Sequence, residues 1–206
     1  MTTPFEKKHH DIVQAAIAVF LEKGFELTSM DAVASKAGLS KVTVYNHFHD
    51  KKELFEHVMA VHCAQLSNNK KLIEFDKNKS PKHLMENYAH RMVELLLHEQ
   101  SIALMRVVIG EASRFPELAQ SIWPEGKLPM QEELSCYLHR EHDAQRLRIP
   151  HIALATKQFF GLIKETLVWP ALMGLRIDNS PAHRQQVIEE AVSMFLSFYR
   201  FDGLIA

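Results

Sequence analysis

The strongest constraint on the fold is the run TSMDAVASKAGLSKVTVYNHFHDKKELF, from Thr28 to Phe55. Its caps, apolar stripes and glycine fall in the order of two short helices joined by a tight turn and followed by a third. Thr28 or Ser29 can accept from the free N–H groups that open a helix, Met30, Val33, Ala34 and Ala37 line one face, and Gly38 suits the left-handed residue that ends it. Ser40 supplies a second cap. In the helix it starts, Val44 and Phe48 stand four apart and turn inward, so Val42, Thr43 and Asn46 turn outward. Asp50 with Glu53 three residues on reads as a capping box, and Leu54, Phe55, Val58, Met59 and Leu66 carry the helical spacing onward. Two helices meeting through a tight turn set the second where a DNA major groove can receive it.

The segment from Ile12 to Phe55 resembles the DNA-binding domain of the TetR (tetracycline repressor) family. The matching residues are Ile12, Ala15, Ala16, Phe20, Gly24, Phe25, Thr28, Ala34, Ala37, Gly38, Ser40, Lys41, Thr43, Tyr45, His47, Phe48, Lys51 and Leu54. A second stretch, MRVVIGEASRFPELAQ from Met105 to Gln120, resembles the ligand-domain signature of the AefR-like branch of these regulators. The resemblance implies a transcriptional regulator, by family default a repressor, that binds a palindromic double-stranded DNA operator and is released by a small-molecule effector. It also implies a homodimer whose last two helices pair with their symmetry mates. One reading helix touches only a few base pairs, which independently calls for a second copy.

The rest of the chain reads as all-α. With 206 residues, 47% of them apolar, there is ample material for a core. Period-two stretches are wanting, while helical patterns recur between Pro, Gly and Asn breaks, at about 81–99, 101–114, 116–123, 127–142, 151–173 and 181–201. A polar, Lys-rich stretch from Asn68 to Ser80 marks a joint. The expected organisation is a helix-turn-helix domain over 1–50, a connector helix and linker over 51–80, and a helical-bundle ligand-binding and dimerisation domain over 81–206. No run is long and apolar enough to span a bilayer, and Met1 to His10 is too polar for a signal peptide, so the expected location is the cytoplasm, with no membrane partner. Cys63 and Cys136 sit in helical patterns and read as buried free thiols.

Charge advertises nucleic-acid binding only locally. The first 60 residues hold seven lysines and eight acidic residues, but from Val33 to Lys52 four lysines face one aspartate. Lys7, Lys8, His9 and His10 read as a flexible basic arm ahead of the first helix. Thr28, Ser29, Ser40, Tyr45, His47 and Lys51 are suited to the DNA backbone, being helix-start hydroxyls, ring donors and an ammonium. Lys41, Val42, Thr43, Tyr45 and Asn46 project from the reading helix and are the candidates for base edges.

The remaining 125 residues or so exceed what reading DNA requires. Two long apolar helices close the chain, the second with Val187, Ala191, Met194, Phe195 and Phe198 taken as one stripe. A pocket for a small apolar effector would draw on Met85, Tyr88, Met92, Met105, Trp123, Phe159 and Ile163. Glu111 and Arg114, three apart, read as a local ion pair. Thirteen histidines raise the alternative of an enzyme or metal protein. The paired Glu-x-x-His pattern of a di-iron bundle is wanting, since Glu53 and His57, Glu86 and His90, and Glu94 and His98 are spaced by four. The lone Glu6-x-x-His9 lies in the arm, and His139 and His142 read as a solvated face rather than metal ligands. With no phosphate loop, nucleophile elbow or triad, neither catalysis nor a cofactor is expected.

Overall fold

The computed structural model describes residues 3–66, 71–122, 129–176 and 178–200. Among them run ten helices: α1 (Pro4–Lys23), α2 (Met30–Ala37), α3 (Lys41–His47), α4 (Lys51–Leu66), α5 (Pro81–Leu97), α6 (Glu99–Glu111), α7 (Pro116–Ile122), α8 (Pro129–Asp143), α9 (Ile152–Leu172) and α10 (Pro181–Phe198). The β geometry of the described residues is confined to an isolated bridge between Leu147 and Arg200. The chain forms two compact units that interleave in sequence. One comprises residues 1–68 and 99–124, the other 69–98 and 125–206.

In the first unit, α1 begins much earlier than the sequence reading allowed. Thr3 caps it, Pro4 holds its first position, and the Glu6 carboxylate returns to the Thr3 N–H at 2.6 Å. Lys7 to His10 are therefore helix, not a flexible arm. Thr3 and Glu6 form a cap signature that the polar composition of the stretch obscured. The unit's core gathers Ile12 and Phe20 from α1 with Leu54, Phe55 and Val58 from α4, all fully buried. The Phe20 and Phe55 rings meet edge to face at 4.8 Å. Burying each such ring contributes about 1.5–3 kcal/mol. Helices α6 and α7 belong to this same core through Leu104, Val108 and Leu118. Phe115, between them, sets its ring 5.2 Å from that of Phe25.

In the second unit, an extended segment from Lys71 to Asp76 is bolted down by charged side chains. The Leu72 N–H donates to Glu133 at 2.6 Å, and Arg91 donates to the Lys71 carbonyl at 2.7 Å. Arg146 forms two bonds, at 2.6 and 2.7 Å, with the carboxylate of Glu141, which is entirely buried. The same guanidinium donates to the carbonyls of Asp76 and Lys77 and lies 5.1 Å from the centre of the Phe75 ring. Bidentate geometry plus carbonyl partners is what makes a charge tolerable at that depth.

Two sequence expectations need correction here. Cys136 is exposed rather than buried; the side chain of Cys63 lies outside the described residues. The stripe assigned to the last helix is in fact two faces, because the apolar arc of α10 is wider than its buried side and periodicity alone cannot say which part is inside. Ile188, Ala191, Val192 and Phe195 are buried, whereas Met194 is 61% and Phe198 78% exposed. On α9, Phe159, Ile163 and Leu167 are buried while Leu154, Trp169 and the following Met173 are exposed.

Candidate nucleic-acid interface

The reading helix is built as its spacing requires. Ser29 caps α2 by accepting from the Ala32 N–H at 3.2 Å, and Gly38 ends it with φ 68° and ψ 28°, the left-handed geometry. Ser40 then caps α3, accepting from the Thr43 N–H at 3.1 Å. Val44 is fully buried and Phe48 nearly so, which fixes the rotation of the helix. Lys41, Val42, Tyr45 and Asn46 are exposed as a result, and Thr43 is half-buried. Val42, at 69% exposure, is an apolar side chain held in solvent. After α3, Asp50 accepts from the Glu53 N–H at 2.8 Å, and Glu53 reaches back to the His49 N–H at 2.6 Å. The box expected there closes one residue wider than the standard one.

Of the ten residues nominated for DNA, several have other partners in the free protein. The Thr28 hydroxyl is buried and donates to the Gly24 carbonyl at 2.6 Å, so this side chain clips the α1–α2 turn. Lys51 turns inward: its ammonium donates to the carbonyls of Phe25 and Glu26 at 2.9 Å and of Thr28 at 3.2 Å. It also stands 4.6 Å from the centre of the Phe25 ring and 5.8 Å from that of Phe115. Spacing indicates that a lysine lies near the surface, but not which way it bends. Thr43 and Ser40 share a hydroxyl hydrogen bond at 2.8 Å. Lys41 pairs with Asp31 at 2.8 Å, and this exposed hydrogen bond raises the lysine's pKa.

The loop beneath the reading helix is fastened from α6. Glu111 accepts from the Glu26 N–H at 3.1 Å, and Arg114 pairs with the Glu26 carboxylate. The local Glu111–Arg114 pair expected from their spacing is thus replaced by two bonds to one distant residue. Gly24, at φ 74°, admits this approach, since a Cβ there would meet the Glu111 Oε1 at 3.2 Å. These contacts were invisible to sequence reading because they join residues some 85 positions apart.

His47 is half-buried at the end of α3, with Phe5 of α1 stacked on its ring at 4.1 Å and His9 tilted against it at 5.5 Å. Its Nδ1 is buried and has no hydrogen-bond partner.

The effector candidates divide between the units. Met85, Tyr88, Met92, Phe159 and Ile163 are all fully buried in the second unit, where the Tyr88 hydroxyl donates to the Met130 carbonyl at 2.7 Å. Burial first, then the Glu133 charge, pushes the Tyr88 phenol far up. Met105 packs in the first unit, against the core containing Ile12 and Phe20. Trp123 lies outside the described residues. An open groove of about 440 Å³ runs beside the Lys71–Asp76 segment instead, lined by Phe75, Glu133, Cys136, Tyr137 and Arg140 among others.

Two short helices joined at a left-handed glycine, with the second rotated by Val44 and Phe48 to expose a polar face, define a helix-turn-helix DNA-binding protein. The family model for bacterial regulatory proteins of the tetR family matches residues 12–58, and that for the C-terminal domain of AefR-like transcriptional repressors matches residues 83–201. The chain belongs to the tetR family, whose members are transcriptional regulators and not enzymes. A solved TetR family transcriptional regulator from Pseudomonas syringae pv. tomato is similar at 32% identity and TM-score 0.77, over 95% of this chain and 98% of that one. The flavonoid-responsive regulator FrrA is similar at 28% identity and TM-score 0.81, over 94% and 97%. IcaR, the negative transcriptional regulator of a Staphylococcus aureus biofilm operon, is 35% identical over 69 residues, 34% of this chain and 36% of that protein.

Proposed function

We propose that this protein represses transcription by binding a palindromic DNA operator as a homodimer, and that a small apolar effector releases it. The observation that carries the reading is the face of α3: Val44 and Phe48 are buried, while Lys41, Val42, Tyr45 and Asn46 are all held in solvent. Lysine and asparagine offer hydrogen bonds to guanine and adenine edges, and Val42 offers an apolar contact to a thymine methyl. Ser29, Ser40, Thr43 and His47 supply hydroxyls and a ring beside the phosphates, with Thr28 and Lys51 supporting them from below. Repression is supported by IcaR, a negative regulator similar over the reading domain.

Dimerisation is supported by the exposed apolar side chains on and just after α9 and on α10, Trp169, Met173, Met194 and Phe198. An effector is supported by FrrA, named for its response to flavonoids. In the proposed site it must part Met85, Tyr88, Met92, Phe159 and Ile163, which are closed together. Release then follows from differential affinity, a coupling of about 1–3 kcal/mol. The cytoplasm is the compartment this reading requires.

The test uses a duplex selected from a random-sequence pool by the purified protein, at stated salt. Lys41→Ala with Tyr45→Ala should abolish retention of that duplex while the circular dichroism spectrum and sedimentation coefficient stay unchanged. Unchanged retention would overturn the reading.

A further inference from the structure

Three histidines from three helices, widely separated in sequence, meet at the C-terminal end of the reading helix. His9 of α1 and His57 of α4 bring their Nε2 atoms to 2.8 Å, a hydrogen bond in which one nitrogen must donate and the other accept. Their rings stand edge to face, with centroids 4.6 Å apart. His9 also lies 5.0 Å from the Phe48 ring and 5.5 Å from that of His47, and His57 lies 5.2 Å from Phe48. Phe5 covers His47 on another side. The orientation of His47 is thus set from α1, and α1 is in turn fastened to α4 through the pair.

We propose that His9 and His57 are positioning residues for DNA binding: as a hydrogen-bonded pair they hold His47 at the backbone of the duplex, and full protonation of the pair releases it. The inference rests on the reading of His47 as a backbone contact. A neutral pair shares one N–H···N bond. A first proton can reside on the far nitrogen of the donor ring and leave that bond in place. A second puts an N–H on both facing nitrogens, and the bond is lost.

The surroundings offer little to hold the second proton. On α1 the nearby charges are Lys8 and His10, and the Glu6 carboxylate is bound to the Thr3 N–H. On α4, Glu56 faces Lys52 at 3.7 Å and Glu53 is taken by the His49 N–H. Among the described residues, none of the three rings has a carboxylate partner. Desolvation, then His57 and His10, holds His9 below the ordinary 6.5 of an imidazole. Desolvation, then His9 and Lys8, does the same to His47. His47 has a further reason to stay neutral, since its buried Nδ1 has no acceptor for a proton. Its remaining hydrogen then sits on Nε2, the nitrogen left to donate to a phosphate oxygen.

The experiment measures affinity for the selected duplex between pH 7.5 and 5.5 at constant ionic strength, with folding checked by circular dichroism at each pH. The natural protein should lose affinity toward the acid end of that range, about two- to threefold by pH 5.5, since His9 is held below the ordinary imidazole value. His9→Ala should weaken binding about tenfold at pH 7.5. His9→Gln with His57→Gln should recover part of that loss, because two amides can still bond, and its affinity should no longer fall in acid. The ring Cε1–H resonance of His9 should titrate below the ordinary imidazole range in the natural protein. A flat profile in the natural protein, or the same acid loss in the double glutamine variant, would overturn the proposal. His47→Gln separates it from its premise: unchanged affinity in that variant removes the backbone contact, whereas weakened affinity beside an unaltered double-variant profile removes only the positioning role.

Discussion

The ammonium of Lys51 donates to the carbonyl of Phe25 at 2.9 Å and stands 4.6 Å from the centre of the same residue's ring. One lysine on α4 therefore holds both faces of the turn that carries the chain from α1 into the reading motif. A hydrogen bond to a charged donor contributes about 1.5–3 kcal/mol; the three of Lys51 share one half-buried ammonium and do not add in full, so Lys51→Met should destabilise the protein by about 2–4 kcal/mol. Urea unfolding without DNA is the check. A purely phosphate-binding lysine would leave that curve where it was.

Gly24 should tolerate no side chain. Its φ of 74° with ψ of 179° is a backbone state that residues with a Cβ rarely adopt, and Glu111 already occupies the space beside it. Gly24→Ala is expected to cost about 1–3 kcal/mol in thermal or urea unfolding. Glu111→Ala in the same background should recover part of the loss by removing the crowding carboxylate, and no recovery would mean that the backbone alone sets the cost.

Asp31 should act as a brake on DNA affinity. It holds the Lys41 ammonium at 2.8 Å on an exposed face, so a guanine edge must compete with a carboxylate for that lysine. Asp31→Asn should tighten binding about two- to fivefold at low salt and steepen the dependence of log affinity on log salt by about one unit or less. A salt titration by fluorescence anisotropy decides it; unchanged affinity and slope would show that Asp31 does not hold Lys41 back from DNA.

Among the described residues, the buried carboxylate of Glu141 is ion-paired with the Arg146 guanidinium. Removing that partner by Arg146→Met strands a charge at 0% exposure and should cost about 3–5 kcal/mol. Adding Glu141→Leu should return most of it, because no ion is then left without a partner. Melting temperatures of the two variants make the comparison.

Met194 and Phe198 should matter for assembly and not for folding, the reverse of their neighbour Phe195. Met194→Glu with Phe198→Glu is expected to yield a folded monomer in sedimentation velocity, at concentrations where the natural chain is expected to form the proposed dimer. Phe195→Ala should instead lower stability by about 3–5 kcal/mol, since that ring is buried against Phe159 at 5.3 Å. A double variant that still sediments as a dimer would remove α10 from the interface.

The reading motif was legible because every instruction for it is local. Ser29, Gly38, Ser40, Val44 and Phe48 act on neighbours within four or five positions, and a period of 3.6 residues is enough to orient them. What escaped was the direction of long side chains and the partners of distant ones. Lys51 reads as basic surface until the carbonyls 23 to 26 residues away are known to converge on it. The last helix carried apolar residues on two faces, so Val187, Met194 and Phe198 fell into one stripe with Phe195 until packing separated them. The early start of α1 is also encoded locally, in the cap formed by Thr3, Pro4 and Glu6, although the polar composition around it resembles an unstructured arm.

The packing of α6 and α7 within the first unit, although α5 of the second unit precedes them in the chain, bears on how such regulators can be recombined. A hybrid that joins only residues 1–68 to another protein's sensing half would leave Phe25 without Phe115, and the core around Ile12 without Leu104, Val108 and Leu118. The bared surface would be apolar and aggregation-prone. A working transplant has to carry two separate stretches of sequence, so this reading head is no detachable cartridge.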